Sequence, residues 1–233
     1  MTTTTTREPV STGYQVSAAP AAFVGARSAA IAGVAFVVLN VAGTFAPGAA
    51  PASDASTAKV AAYFRDHSSA IKAQLLLGGL GIAALMWWFG ALWRIMSRAE
   101  GEQPRLAIVA AISLGSALTL ALVNGVANAT AVQRSASPET THLLYTLSFV
   151  VIAAAGFGLG AFLLAVNLVT YRSKVSPRWV SFAGFAAALA FLVSGLGTVS
   201  DANAVNAVGL VAFLLWCVWI LAVSATMWRA ATA

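Results

Sequence analysis

Apolar and charged residues are segregated along this chain rather than interleaved. Six windows, 28–53, 73–93, 106–133, 140–171, 179–200 and 202–228, contain no Asp, Glu, Lys or Arg; all thirteen basic and seven acidic side chains fall outside them. Each window can supply the about 20 mostly apolar residues that a helix needs to cross a ~30 Å hydrocarbon layer. A charge at the centre of such a helix costs roughly 3 kcal/mol on insertion scales. Within the windows the apolar residues do not keep to one helical face, as expected where lipid is the solvent. The pattern predicts an all-α polytopic membrane protein, a six-transmembrane-helix bundle with spans at about 28–46, 73–95, 106–130, 143–170, 179–200 and 205–228.

The segments between the windows set the connections. Residues 1–27 open on Thr2 to Thr6 and continue with Ser, Pro, Ala and Gly, which predicts a disordered cytoplasmic tail. Ala50-Pro51-Ala52 has the small-x-small pattern of a signal cleavage site, but the proline and the length of the apolar run argue for an uncleaved first span. Pro47, Gly48 and Pro51 stop that span, and Ser53 to Thr57 offer capping residues for a new start. From about 55 to 67, Val60, Ala61, Tyr63 and Phe64 recur at helical spacing among Lys59, Arg65 and Asp66, which predicts a short amphipathic helix on the outer face. Such a helix is either a lid over an external cavity or a loop resting its apolar face in the membrane interface. The other connections, 97–105, 131–141, 171–178 and 201–204, are short, and they force consecutive spans to be antiparallel neighbours.

A faint internal echo joins the second, fourth and sixth spans. Gly79-Leu80-Gly81, Gly158-Leu159-Gly160 and Gly209-Leu210-Val211 each lie upstream of a closing arginine, Arg94, Arg172 and Arg229. Three helical-hairpin repeats would produce the echo, and so would chance in a low-complexity apolar sequence. Small residues four apart recur at Gly25, Ala29 and Gly33, at Gly156 and Gly160, and at Gly184 and Ala188, a spacing that lets helix backbones approach in lipid. Packing within the bundle is the expected use.

Charge adds an orientation. Arg7, Arg27, Arg94, Arg98, Arg105, Arg172, Lys174, Arg178 and Arg229 lie on one side of the predicted membrane, against Lys59, Arg65, Lys72 and Arg134 on the other. The positive-inside rule then places both termini in the cytoplasm. Trp87, Trp88, Trp93, Trp179 and Trp228 fall towards the cytoplasmic ends, where indole favours the headgroup layer. The net charge of +6 comes from scattered loop residues, not one basic surface. It points to anionic lipid headgroups at the cytoplasmic face rather than to nucleic acid. With 60% hydrophobic and 9% charged residues and a mean hydropathy of +0.85, no appended soluble domain is expected. The single Cys217 lies inside a span and implies no disulfide.

Chemistry-bearing residues are few. No His-Glu-x-x-His, Gly-x-Ser-x-Gly or phosphate-cradling glycine motif is present, and no lysine lies in a span for a Schiff base. The two histidines, His67 and His142, stand outside the spans or at a helix end, which argues against a haem bundle. No catalytic residue, metal site or cofactor is expected. What remains is a depth pattern. Asn40, Asn124, Asn128, Ser194, Thr198 and Asn206 all fall in the outer halves of their spans, and Asn124 and Asn128 share one helical face. Asn167, near the inner end of the fourth span, is the exception. A buried amide needs partners in hydrocarbon. The outer group therefore forms either a polar vestibule rimmed by Tyr63, Phe64, His142 and Asp201, or a set of helix-to-helix bonds.

Three short segments carry a resemblance. Ala61-Ala62-Tyr63-Phe64-x-x-His67 precedes the second span, Leu92-Trp93-Arg94 ends it, and Arg172…Pro177-Arg178-Trp179-Val180 turns into the fifth. In these segments and in its size and span number, residues 28–229 resemble a group of uncharacterised six-span integral membrane proteins common in actinobacteria, described as a domain of unknown function. The resemblance implies a helical bundle in the bacterial inner (plasma) membrane and supplies no catalytic residue. Two functional classes stay open: a module binding or transporting a neutral, apolar or lipidic molecule through the outer polar cluster, or a structural or accessory subunit packing against a membrane-protein partner or another copy of itself.

Overall fold

The computed structural model describes residues 21–52, 54–133, 137–199 and 203–232, with the backbone alone at 21–24 and 203–206. These residues form helices α1 (Ala21–Phe45), α2 (Thr57–Asp66), α3 (Ser68–Glu100), α4 (Arg105–Ala131), α5 (Pro138–Ser173), α6 (Arg178–Gly195, extended by a 3-10 turn at Leu196–Thr198) and α7 (Asn203–Ala230). Among the described residues, six helices are long and apolar enough to cross a membrane, all but α2. The fold is an all-α six-helix bundle with α2 added. Most of the expected tail, 1–20, lies outside the described residues, whereas 21–27 belong to α1.

Several helices outrun the apolar windows that predict them. α3 has 33 residues and α5 has 36, about 50 and 54 Å at 1.5 Å per residue, well beyond a ~30 Å hydrocarbon layer. Charge is excluded from hydrocarbon, but helical hydrogen bonding continues into the headgroup layer until a stop signal interrupts it. Gly101, at φ +77°, ends α3, and Lys174, at φ +57°, ends α5. Pro138 occupies the first turn of α5, where Ser137 Oγ accepts from the Thr140 amide at 3.2 Å. Ser56 stands at the N-cap of α2, but its side chain makes no cap bond. The capping expected there is positional only.

Each spanning helix packs on its neighbours in sequence, and α7 returns to α1, closing the ring; α3 and α5 also touch. The core holds Phe36, Leu85, Trp88, Phe162, Leu163, Val166, Trp219 and Ile220. Edge-on aromatic pairs join it, Trp88–Trp219 at 5.9 Å and Phe36–Trp216 at 5.0 Å between centroids. Small residues let the helices close. A Cβ on Gly33 of α1 would fall 2.6 Å from the Trp88 ring, and one on Gly156 of α5 would fall 2.7 Å from the Phe191 carbonyl of α6. The glycine spacings therefore serve internal packing. The glycine echo does not mark equivalent positions: Gly79 faces open space, Gly158 sits on Ser113 and Ala117 of α4, and Gly209 lies near Ser194 of α6.

One expectation about tryptophan is corrected. Trp87, Trp179 and Trp228 are exposed, as ring anchors in a headgroup layer would be, but Trp88 is fully buried and donates to Ser224 Oγ at 3.0 Å. Its indole N–H takes a partner on α7 because Gly33 leaves room for the ring between α1 and α7.

Candidate functional site

The bundle has two polar regions at opposite ends. The α2 end carries residues 46–52 and 54–56, α2, the end of α4 and the start of α5; the terminus end carries the start of α1, the 101–104 and 174–177 turns and the end of α7.

At the α2 end, α2 turns its apolar face onto the bundle. Val60 and Phe64 are 0% and 3% exposed and share a cluster with Ile71 of α3, Ala131 of α4 and Tyr145 of α5. Phe64 meets the Tyr145 ring edge-on at 5.6 Å. Two side chains of α5 hold the preceding loop down: Tyr145 Oη donates to the Pro51 carbonyl, and His142 Nε2 lies 3.2 Å from the Ala55 carbonyl. Tyr63 stacks on His67 at 4.7 Å, and partial burial pushes its phenol above its ordinary pKa. It stays neutral at physiological pH.

The amides one to two turns deeper are spent locally. Asn124 Nδ2 donates to the Ser148 carbonyl of α5 at 2.8 Å, and Asn128 Nδ2 donates to the Asn124 carbonyl at 2.9 Å and its Oδ1 at 3.3 Å. Asn40 donates to Phe36 of its own helix at 3.1 Å and lies across Gly81 of α3. The Ser194 and Thr198 hydroxyls donate to the carbonyls of Phe191 and Gly195. The candidate ligands thus divide among the α1–α3, α4–α5 and α5–α6 contacts. Asp201 lies outside the described residues, and only the helical backbone of Asn206 is described.

The terminus end contains the side-chain pairs that bridge helices. Asn167 of α5, 1% exposed, accepts from Trp219 Nε1 of α7 at 3.1 Å through Oδ1 and donates to the Leu163 carbonyl at 2.7 Å. Gly184 of α6 packs directly on its amide. One turn on, the hydroxyls of Thr170 and Ser181 lie 3.2 Å apart across α5 and α6. A cavity of about 20 Å³ between α3, α5, α6 and α7 is lined by Asn167, Thr170, Ser176 and Thr226, the size of a single-water site. Ser176 Oγ is buried there with no protein partner. A wider groove of about 280 Å³ opens between α3, α4 and α5. Beside it, Glu100 accepts from the Leu106 and Ala107 amides at 3.0 and 2.7 Å and so caps α4.

Sequence reasoning noted Asn167 only as an exception and missed Trp219, Ser224 and Glu100. The available signal was modest: Gly184, a small residue in the next span, leaves room for a polar side chain opposite. The chain is built as a multi-pass integral membrane protein. No known protein family, curated protein or solved structure is matched by it.

Proposed function

We propose that the chain is a non-enzymatic accessory subunit of the bacterial plasma membrane, with both termini in the cytoplasm, whose α3 packs against a partner helix. The observation that carries this reading is a face of α3. Gly79, Ala83 and Gly90 are exposed and share that face, spaced by four and seven residues with the flexible, exposed Met86 between the last two, and a Cβ on either glycine would meet nothing within 4 Å. Every other small-residue spacing named above is filled by this bundle's own helices. A stripe of this kind lets a second backbone approach closely in lipid. The lysines and arginines gathered at the terminus end support the orientation.

The test is Gly79→Leu with Gly90→Leu. Because both sites open outward, the bundle should melt no earlier than the wild type. A protein, or a second copy of this chain, that co-purifies stoichiometrically in native lipid patches should be lost. A wild-type chain recovered alone, or a complex that survives both substitutions, would sink the proposal.

A second reading has its own support. The apolar face of α2 is spent on the bundle rather than on the membrane interface, which is the arrangement of a lid. In that reading the described form is closed, and a neutral or lipidic ligand would enter above Asn124 and Asn128 after the loop of Pro51 and Ala55 lifts from Tyr145 and His142. A stoichiometric small molecule in the same preparation, in place of a protein, would favour it.

A further inference from the structure

We infer that the groove between α3, α4 and α5 at the terminus end binds the headgroup of an anionic phospholipid. Depth is the first argument. Leu106 opens one charge-free window and Arg172 follows the close of another, and both line the groove. The groove therefore straddles the boundary between hydrocarbon and headgroups. Leu106 and Val169 form its apolar part, and the exposed Val109, one turn on from Leu106, extends the apolar surface along α4. A soluble anion gains nothing from such a floor; a glycerol backbone with its first acyl carbons does.

Charge is the second argument. The groove holds one acid, Glu100, and one base, Arg172, yet they do not pair. Each carboxylate oxygen of Glu100 accepts from an amide that opens α4, which turns the group towards that helix end. Among the described residues the single ion pair is Arg65–Asp66, at the far end of the molecule. The exposed Arg172 guanidinium is left with a fork of donors suited to a phosphate. Gln103 uses its Oε1 to accept from Arg105 at 3.1 Å, which leaves its NH2 group to donate. Arg98, Arg105 and Lys174 lie within two residues of lining residues in sequence, against Glu102 as the further acid, so basic groups outnumber acidic ones around the turn. The phosphate accepts from Arg172 and Gln103 while the glycerol end rests on Leu106 and Val169. The orientation proposed above decides only which leaflet supplies the lipid; the α3 face plays no part.

Native mass spectrometry of the full chain in detergent, titrated with dioleoylphosphatidylglycerol or dioleoylphosphatidylcholine, tests the inference. The wild type should retain the anionic lipid preferentially. Arg172→Gln should weaken that retention about tenfold, the effect of losing a charged hydrogen-bonding group, while Arg172→Lys restores part of it. Lys174→Gln, which removes a neighbouring charge outside the groove, should leave retention within about twofold of wild type. Excess inorganic phosphate should not displace the lipid. Undiminished retention by Arg172→Gln would overturn the site. Equal losses for Arg172→Gln and Lys174→Gln would replace it with diffuse charge attraction, and displacement by phosphate would make it a simple anion site. Melting of Arg172→Gln in phosphatidylcholine nanodiscs, expected to match wild type, separates lost binding from a damaged fold.

Discussion

The two ends of the bundle handle buried polar groups in different ways. At the α2 end, Asn40, Asn128, Ser194 and Thr198 bond mainly to carbonyls of their own helices, and Asn124 reaches a backbone carbonyl of α5. At the terminus end and in mid-bundle, side chains meet side chains across helices: Asn167 with Trp219, Thr170 with Ser181, and Trp88 with Ser224. A mid-helix carbonyl already has its in-helix partner, so losing a second donor costs it little. An indole N–H has one bond to give and is orphaned when its acceptor goes. The α2 end is therefore adaptable, and the terminus end is specified.

This contrast can be broken by substitution. The largest effect belongs to Asn167→Leu, which orphans the Trp219 N–H beside Gly184; it should cost about 2 kcal/mol, read as reduced resistance to denaturant-induced unfolding in mixed micelles. Asn124→Leu removes an interhelical bond to a satisfied carbonyl, for which bilayer measurements average about 0.6 kcal/mol, and the longer contact from Asn128, whose amide keeps the Asn124 backbone carbonyl. The same unfolding assay should place it well above Asn167→Leu in stability. If the two substitutions cost the same, the distinction between the ends falls. The smallest global effect is that of Tyr145→Phe. It frees the Pro51 carbonyl while the Phe64 contact persists, so hydrogen exchange in α2 should rise roughly fivefold, for a bond worth about 1 kcal/mol, with the bundle's unfolding midpoint unchanged. A shifted midpoint would mean that α2 and the bundle unfold together.

The six spans were legible because charge exclusion acts residue by residue, and six helices long and apolar enough to cross a membrane are found among the described residues. The extra turns of α3 and α5 were not, since a window that marks where charge is forbidden does not mark where helix stops. Trp88 shows a related limit. Its position near a span's end suited the headgroup layer, and only the room left by Gly33 and the hydroxyl of Ser224 turned it inward. The outer-half clustering of Asn124 and Asn128 was visible in the chain, but it described depth and not direction, and depth does not distinguish a shared cavity from separate helix contacts.

By itself the sequence determined the solvent of this protein, its helix count and its charge asymmetry, because transfer free energies add along the chain and need no partner. Tertiary structure decided which polar groups matter. Trp88 and Ser224 lie 136 residues apart, and Asn167 and Trp219 lie 52 apart, so their bonds exist only once α7 has closed the ring against α1 and α6. Glu100, by contrast, caps α4 locally, six and seven residues along the chain, and it is the packing of α5 that sets Arg172 into the same groove without pairing it to that carboxylate.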